Sequence, residues 1–237
     1  MTTASPQLVL NVRRSSEATF DTYYSGPNAE AVNSLAAMAN RSIQWAVESQ
    51  LYLWGAPATG KTHLLQALCQ EFSRRDMSSV YLPLRMFETG DAAILSDLGG
   101  LALVCVDDLD VIVSKPEWEL GLFNLINVSR QAGHSLVLAS QQNPSYLRTG
   151  LADLESRLVW GPVFKLQSLD DNGKLNVLRA HAKQRGIVFS DEVGRYLLNN
   201  FPRDLVSLLQ VLDRLDESSL AAKRRLTVPF IKSVLSG

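Results

Sequence analysis

One eight-residue segment constrains this chain more than any other feature. Residues 55–62 read GAPATGKT and match the pattern G-x-x-x-x-G-K-[ST]. The segment follows the apolar run Leu51–Trp54 and precedes a stretch in which apolar residues from Leu64 to Phe72 have helical spacing. This strand-loop-helix context is the one that the pattern requires. The sequence therefore predicts a phosphate-binding loop, or P-loop, between a buried strand and a helix.

The residue types of the P-loop suit the chemistry of phosphate binding. Glycines let backbone N–H groups converge on phosphate oxygens, and the helix N-terminus adds the positive end of its dipole. Lys61 supplies a point charge to the β and γ phosphates, and the hydroxyl of Thr62 is a ligand for Mg²⁺. His63, like His134 and His181, lacks the spacing of a metal ligand, so its imidazole is expected to be structural or solvent-facing. The predicted nucleotide-binding positions of this segment are Gly55, Pro57, Ala58, Thr59, Gly60, Lys61, Thr62 and His63.

A second motif carries two carboxylates. The apolar run 101–106 ends in Asp107 and Asp108, a pattern that looks like a Walker B strand. Asp107 is predicted to hold Mg²⁺ together with Thr62, and Asp108 is predicted to orient the attacking water. The alternative is a pair of aspartates that cap or turn the chain after a buried strand. Strongly hydrolysing P-loop ATPases mostly carry Glu at the second position, so Asp108 predicts weak intrinsic hydrolysis.

The order of apolar patterns predicts an α/β fold, with a parallel P-loop sheet sandwiched by helices and followed by a small all-helical lid. Short β-rich runs alternate with helical segments up to Leu166, whereas only helical patterns follow. Ser190 is predicted to cap one of the later helices, and Pro202 and Pro229 are expected in first turns. The predicted divisions are a tail at 1–18, a nucleotide-binding domain at 19–168 and a lid at 169–237.

Composition narrows the functional classes. With 23 basic and 24 acidic residues the net charge is −1, so DNA binding by bulk electrostatics is not the default interpretation. The longest apolar stretch, residues 98–106, is far shorter than the roughly 20 residues that span a bilayer. Cys69 and Cys105 lie in apolar runs and are expected to be buried, reduced thiols. These features predict a cytoplasmic protein that does not enter a membrane.

The motifs together resemble the AAA+ ATPases, and within them the DnaA family of replication initiators. The segment F-x-x-Y-x-x-G-x-N at 20–28 is similar to the DnaA segment that binds the base, which implies roles for Phe20, Tyr24 and Asn28. From the residues alone, the pair Tyr23-Tyr24 with Phe20 could stack on a nucleotide base, but aromatics at this spacing are more often part of a core. Residues 137–141 resemble the sensor 1 strand, although the family usually has Asp where Gln141 stands.

Two arginines acquire roles from the same resemblance. Residues 154–161, LESRLVWG, are similar to the box that carries the arginine finger, so Arg157 is the matching residue. Residues 202–205 resemble the start of the sensor 2 helix, which implies that Arg203 faces the nucleotide. A cation in the first turn opposes the helix dipole unless an anion is near, and a phosphate would supply that anion. The alternatives are surface ion pairs for both side chains or simple exposure of Arg203.

A DnaA-like AAA+ module of this length resembles the Hda family of initiator regulators. That family carries a clamp-binding motif of the type Q-L-x-L-P-L near its N-terminus, and here residues 7–12 read QLVLNV, so Gln7, Leu8, Leu10 and Val12 are the matching positions. Alternating apolar anchors on an extended segment suit insertion into a partner's pocket. The alternative is an edge strand or an unstructured tail.

The resemblance implies a regulator that binds ADP (or ATP) and Mg²⁺, docks on the sliding clamp of DNA polymerase III, the β subunit, and promotes hydrolysis of ATP held by the DnaA initiator. Contact with DNA would then be indirect, through the clamp, and the protein would be associated with the nucleoid; homo-oligomerisation stays open. Two rival functions remain. One is a helicase-loader-like AAA+ ATPase, and the other is a stand-alone P-loop kinase.

Overall fold

A computed structural model describes residues 18–40, 49–87, 89–222 and 226–235. The proposed clamp motif, with Gln7, Leu8, Leu10 and Val12, lies outside these residues. The strands are β1 (Gln50–Trp54), β2 (Ser79–Pro83), β3 (Leu103–Asp107), β4 (Ser135–Ser140) and β5 (Val163–Lys165). The helices are α1 (Ala29–Ala39), α2 (Lys61–Ser73), α3 (Pro116–Gln131), α4 (Ala152–Leu158), α5 (Asp171–Gln184), α6 (Asp191–Asn200), α7 (Leu205–Ala222) and α8 (Val228–Leu235).

The five strands form one parallel sheet in the order β2-β3-β4-β1-β5, which confirms the predicted α/β class. Strands of parallel sheets are covered on both faces, and this explains why they read as continuous apolar runs. In β1, Leu51 and Leu53 face one core cluster, built with α1 and α2. Tyr52 faces the other cluster, built with α3 and α4.

The sheet order determines where a site can form. The carboxyl ends of β1, β3 and β4 lie side by side, because β4 pairs with both β1 and β3. The loops that follow these strands contain the P-loop, Asp108 and Gln141 in turn. In open α/β sheets, ligands bind in the crevice outside the carboxyl ends of the strands.

Helices α5 to α8 pack around a third core cluster that includes Leu178, Leu197, Leu212 and Ile231. The predicted all-helical region is thus confirmed. Among the residues that the structure describes, no helix has the length and apolar character needed to cross a bilayer. Cys69 and Cys105 are both buried, as predicted, and neither is part of a disulfide among the described residues.

The ends of two lid helices test the capping predictions. The Ser190 side chain accepts a hydrogen bond from the Val193 N–H at 3.3 Å, which confirms it as the N-cap of α6. The prediction that Pro202 lies in a first turn is wrong, since α7 begins at Leu205. The Asp204 carboxylate accepts a hydrogen bond from the Ser207 N–H at 2.8 Å and therefore caps α7. Pro202 and Arg203 precede this cap and lie outside the helix.

Candidate functional site

The P-loop connects β1 to α2 through a backbone that glycine makes accessible. Gly60 has φ +89°, and a Cβ atom there would lie 2.5 Å from the ring of Tyr23. Both the left-handed backbone and the close ring therefore require glycine. Helix α2 begins directly afterwards, at Lys61, so its first N–H groups open into the concavity of the loop.

Lys61 lies at the base of this loop. Its Nζ donates hydrogen bonds to the carbonyl oxygens of Gly55 at 2.6 Å and Ala56 at 3.0 Å. The side chain is buried, and this burial lowers the pKa of the Lys61 ammonium, against the opposing attraction of Asp107, Asp110 and Asp108. A buried cation whose hydrogen bonds go to neutral carbonyls is stabilised further when an anion enters the loop.

The predicted metal-binding pair is in direct contact. The Thr62 hydroxyl donates to Asp107 Oδ2 at 2.6 Å, and the Asp107 carboxylate also accepts from the Tyr81 hydroxyl at 3.0 Å and from the Asp108 N–H at 2.9 Å. Asp107 is 2% exposed. Burial raises the pKa of its carboxyl group despite these donors. Mg²⁺ is commonly held by one or two protein oxygens together with phosphate and water, and this donor set fits that pattern.

Asp108 adopts a left-handed conformation, with φ +57°, immediately after β3. Its Oδ2 lies 3.5 Å from the Nε of Arg85, whose side chain is 56% exposed. Arg85 follows β2 and enters the same pocket, although no sequence motif marked it. The carboxylate predicted to orient water is therefore accompanied by a cation from the neighbouring strand.

Gln141 lines the cavity, and its backbone N–H is held by a carboxylate from the turn after β3. The Asp110 carboxylate accepts from the Ser140 hydroxyl at 2.5 Å and from the Gln141 N–H at 3.0 Å. This arrangement ties the turn after β3 to the end of β4 and fixes where the Gln141 side chain begins. The sequence did not identify Asp110 as part of the site.

The segment before α1 closes one side of the P-loop. The Tyr23 hydroxyl donates to the Thr59 carbonyl at 3.0 Å, and Asn28 Nδ2 donates to the Tyr23 hydroxyl at 3.0 Å. Asn28 is buried, and it also bonds both backbone groups of Gln167, at 3.0 and 2.7 Å. His63 Nε2 lies 2.9 Å from the Thr19 carbonyl and anchors the same segment to α2.

These groups surround a cavity of about 500 Å³ between the sheet edge and the lid. The cavity is lined by the predicted positions Pro57, Ala58, Thr59, Gly60, Lys61, Thr62, His63, Tyr24, Asp107, Asp108 and Gln141, and by Tyr23, the other aromatic of the Tyr23-Tyr24 pair. It is also lined by residues that the sequence did not indicate: Thr22, Arg85, Leu169, Val177, His181, Leu205, Val206 and Leu209. Apolar side chains of α5 and α7 thus face the phosphate-binding elements.

Of the predicted positions that the structure describes, five do not line the cavity. Gly55 contributes its carbonyl to Lys61, Phe20 packs against the α1–α2 core cluster, and Asn28 serves as the buried connector. Arg203 lies outside α7, with Nη1 3.4 Å from Asp171 Oδ2, rather than in a first turn. Arg157 lies at the end of α4, beside Trp160.

Comparisons with known proteins agree with this architecture. A family model for the bacterial DnaA ATPase domain matches residues 15–165, and a model for the Hda lid domain matches residues 171–235. An uncharacterised protein of Haemophilus influenzae is 38% identical over 231 residues, which are 97% of this chain and 98% of that protein.

Solved structures of DnaA share the fold. Domain III of the Thermotoga maritima replication initiation protein DnaA superimposes with a TM-score of 0.79 at 20% identity, covering 93% of this chain and 96% of that one. AMPPCP-bound DnaA from Aquifex aeolicus gives a TM-score of 0.73 at 20% identity, covering 85% of this chain and 65% of that one.

The parallel sheet, the P-loop between β1 and α2, and the helical lid over the pocket define an AAA+ module with a P-loop site. More specifically, the chain belongs to the DnaA ATPase-domain family and carries a lid of the Hda type. The resemblance inferred from the motifs is thereby confirmed at the level of family and fold.

The buried Asp107 carboxylate leads to a stability prediction. Its pKa is raised above the usual value of 3.8, so the folded protein binds this proton more tightly than the unfolded chain. The free energy of unfolding therefore falls as pH rises from the usual pKa of an aspartate to the raised pKa of Asp107. The ionised carboxylate remains destabilising at neutral pH. We expect Asp107→Asn to raise the free energy of unfolding in EDTA at pH 7 by on the order of 1 kcal/mol.

Urea melts of both proteins at pH 7 and pH 4.5 provide the measurement. The gain should shrink at the lower pH, where the wild-type carboxyl group is closer to its neutral form. The same variant should lose any Mg²⁺-dependent increase in nucleotide affinity. A destabilised variant in EDTA would show that the three donors outweigh the burial of the charge.

Proposed function

We propose that this protein is a DnaA-related regulator that binds ADP and the DNA-loaded sliding clamp and promotes hydrolysis of ATP bound to the DnaA initiator. The outcome is negative regulation of the initiation of DNA replication. The observation that carries the proposal is the location of Arg157. It lies far from the P-loop of its own chain.

The length of β1 separates Arg157 from the P-loop. Gln50 begins β1, and its Nε2 donates to the Arg157 carbonyl at 2.7 Å, whereas the P-loop starts after the last residue of the same strand. Five residues of strand span roughly 16 Å. An arginine at that distance from Gly55 is too far away to contact phosphates in its own P-loop, so its guanidinium is available to a nucleotide bound by another chain. In DnaA-type assemblies that nucleotide would belong to a neighbouring subunit.

The chain's own pocket suits a bound adenine nucleotide, ADP or ATP, with Mg²⁺. The P-loop and Lys61 would hold the phosphates, Thr62 and Asp107 would hold the metal ion, and the apolar side of the lid would cover the rest of the ligand. The DnaA of Aquifex aeolicus has been solved with AMPPCP, which supports an adenine nucleotide here. The pairing of Asp108 with Arg85 supports weak intrinsic hydrolysis, because the cation competes for the carboxylate.

Binding assays with purified components test the proposal against its rivals. We expect ADP to be identified by mass spectrometry in protein purified under native conditions, and clamp and DnaA to be retained in pull-downs while the replicative helicase is not. Retention of the helicase alone would support a loader instead. Transfer of phosphate to a small acceptor by the purified protein would support a kinase. Under the proposed function the protein acts in the cytoplasm at the nucleoid and contacts DNA only through the clamp.

The clamp motif gives a separate prediction. We expect the double substitution of Leu8 and Leu10 by Ala to abolish clamp binding, because both apolar anchors of the Q-L-x-L pattern are lost. ADP affinity should stay unchanged, since the motif precedes the nucleotide-binding elements. Val9→Ala is the matched control and should retain binding. Surface plasmon resonance that shows equal clamp affinity for the double variant would contradict the motif assignment.

A further inference from the structure

Trp160 lies against two guanidinium groups. The Cζ of Arg157 is 3.8 Å from the centroid of the indole, and the Cζ of Arg130 is 4.0 Å from it. Arg157 also approaches the ring of Phe123 at 5.7 Å. Within the described part of the chain, neither arginine forms an ion pair with a carboxylate. The contacts that locate these cations are therefore aromatic.

The main chain at Arg157 is fixed independently of its side chain. Gln50 is 7% exposed, and its Nε2 donates to the carbonyl oxygens of Arg157 at 2.7 Å and Leu158 at 3.4 Å. These bonds secure the last turn of α4 against the start of β1. The Nε of Arg157, in contrast, is buried and has no hydrogen-bond partner. The direction of the guanidinium thus depends on the ring rather than on a hydrogen bond.

We propose that Trp160 is a positioning residue for Arg157, an inference that rests on the proposed function. A guanidinium on an aromatic face is held by its charge and its plane, while its N–H donors stay available. A carboxylate in the same place would use two donors in a bidentate pair and would neutralise the charge. The indole therefore orients the finger while its terminal Nη groups, unlike the buried Nε, stay available to a partner's phosphate. Such preorganisation favours the transition state of phosphoryl transfer.

Arg130, the second arginine on Trp160, is expected to affect association with the partner rather than the direction of Arg157. It shares the ring with Arg157 and adds a second positive charge near the contact. That charge attracts an anionic partner from a distance, but the side chain is not needed to aim Arg157. Its loss should therefore weaken association more than the rate within the assembled complex.

Trp160→Leu and Trp160→Phe separate the aromatic face from apolar bulk. Trp160 is partly buried and packs against the α3–α4 core cluster, so leucine keeps apolar contact without a π face, and phenylalanine keeps both. The measurement is the rate at which DnaA-bound ATP becomes ADP, at increasing concentrations of each variant with clamp and DNA present. At saturation we expect Trp160→Leu to be at least tenfold slower than wild type and Trp160→Phe to remain within threefold.

Arg130→Ala is the charge control. It should approach the wild-type rate at saturation but require a higher concentration for half-maximal stimulation. All three variants should show the wild-type increase in melting temperature with ADP, which reports an intact P-loop domain. A saturating rate for Trp160→Leu within threefold of wild type would overturn the inference, and so would a Trp160→Phe rate as low as that of Trp160→Leu.

A nuclear magnetic resonance measurement distinguishes failure of this inference from failure of the proposed function. The Arg157 Nε–H signal, assigned by its disappearance in Arg157→Lys, should be shifted upfield by the indole ring, and Trp160→Leu should remove that shift. If wild-type protein fails to stimulate DnaA while the shift is present, the proposed function is wrong and the finger role falls with it. If wild-type protein stimulates and the shift is absent, only the positioning by Trp160 is wrong.

Discussion

Arg157→Ala is expected to slow the stimulated hydrolysis of DnaA-bound ATP by about 10³ to 10⁵, which corresponds to roughly 4 to 7 kcal/mol of transition-state stabilisation. An arginine finger neutralises charge on the transferring phosphoryl group, and alanine has nothing to replace it. The variant should still fold and bind ADP and the clamp, because Arg157 lies outside the nucleotide pocket and its contacts are with Trp160 and Phe123. Loss of these contacts should cost about 1 kcal/mol of stability.

Arg74→Ala is the matched control for this experiment. Arg74 is an exposed arginine on the opposite face of the sheet, paired with Glu71, and its loss should change neither the rate nor stability by a measurable amount. Single-turnover hydrolysis on radiolabelled DnaA gives the rates. If Arg157→Ala kept a rate within about twofold of wild type, the finger assignment would fail, since that factor is under about 0.5 kcal/mol.

Lys61→Ala is expected to abolish the thermal stabilisation that ADP confers. A ligand that binds only the folded state stabilises it by RT ln(1 + [L]/Kd), or about 2.7 kcal/mol at a concentration 100 times Kd. Without the ammonium at the base of the P-loop, the phosphates lose their only P-loop side-chain cation, and the affinity should fall far enough to remove this gain. The relevant quantity is the change in melting temperature on adding ADP. The melting temperature without ADP also reflects lost bonds to Gly55 and Ala56.

Lys165→Ala provides a matched lysine substitution away from the pocket. Lys165 lies on β5 with its Nζ 5.0 Å from the ring of Trp54, and it does not line the cavity. Its variant should keep the full ADP-induced increase. An unchanged increase in Lys61→Ala would mean that the P-loop does not bind the phosphates in the expected way.

The parts of the site that sequence predicted are those in which short-range chemistry and topology coincide. The P-loop pattern predicts Thr62 as a ligand for Mg²⁺, and the likeness to a Walker B strand predicts Asp107 for the same ion. Their contact at 2.6 Å agrees with that reasoning. The strand and helix classes followed likewise from continuous apolar runs and helical spacing.

The site residues that the sequence did not indicate are brought there by tertiary structure rather than by a motif. Arg85, Tyr81 and Asp110 belong to no spacing motif. Asp110 follows β3 and bonds the end of the neighbouring β4. Tyr81 and Arg85 come from β2 and the turn after it, and β2 lies beside β3, so they face the carboxylates at its end. A sequence does not reveal such neighbours until the pairing of strands is known.

The resemblance to the DnaA family indicates which positions correspond to site residues, but it does not indicate where their side chains point. Asn28 matches the family segment, yet its amide bonds Tyr23 and Gln167 within the protein. Asp204 is the cap of α7 and Arg203 precedes the helix, so the helix dipole does not indicate an anion near Arg203. Nucleotide contacts by these two side chains stay predictions.

The most direct test of the central claim asks which protein's ATP is hydrolysed. DnaA is loaded with γ-labelled ATP, separated from free nucleotide, and mixed with ADP-loaded protein and DNA-loaded clamp, and labelled phosphate release is followed beside a reaction without DnaA that contains free labelled ATP. The account predicts rapid release from DnaA that depends on this protein and on the clamp, and slow release without DnaA. Label that persists on DnaA, or equally fast hydrolysis of free ATP by this protein alone, would contradict it.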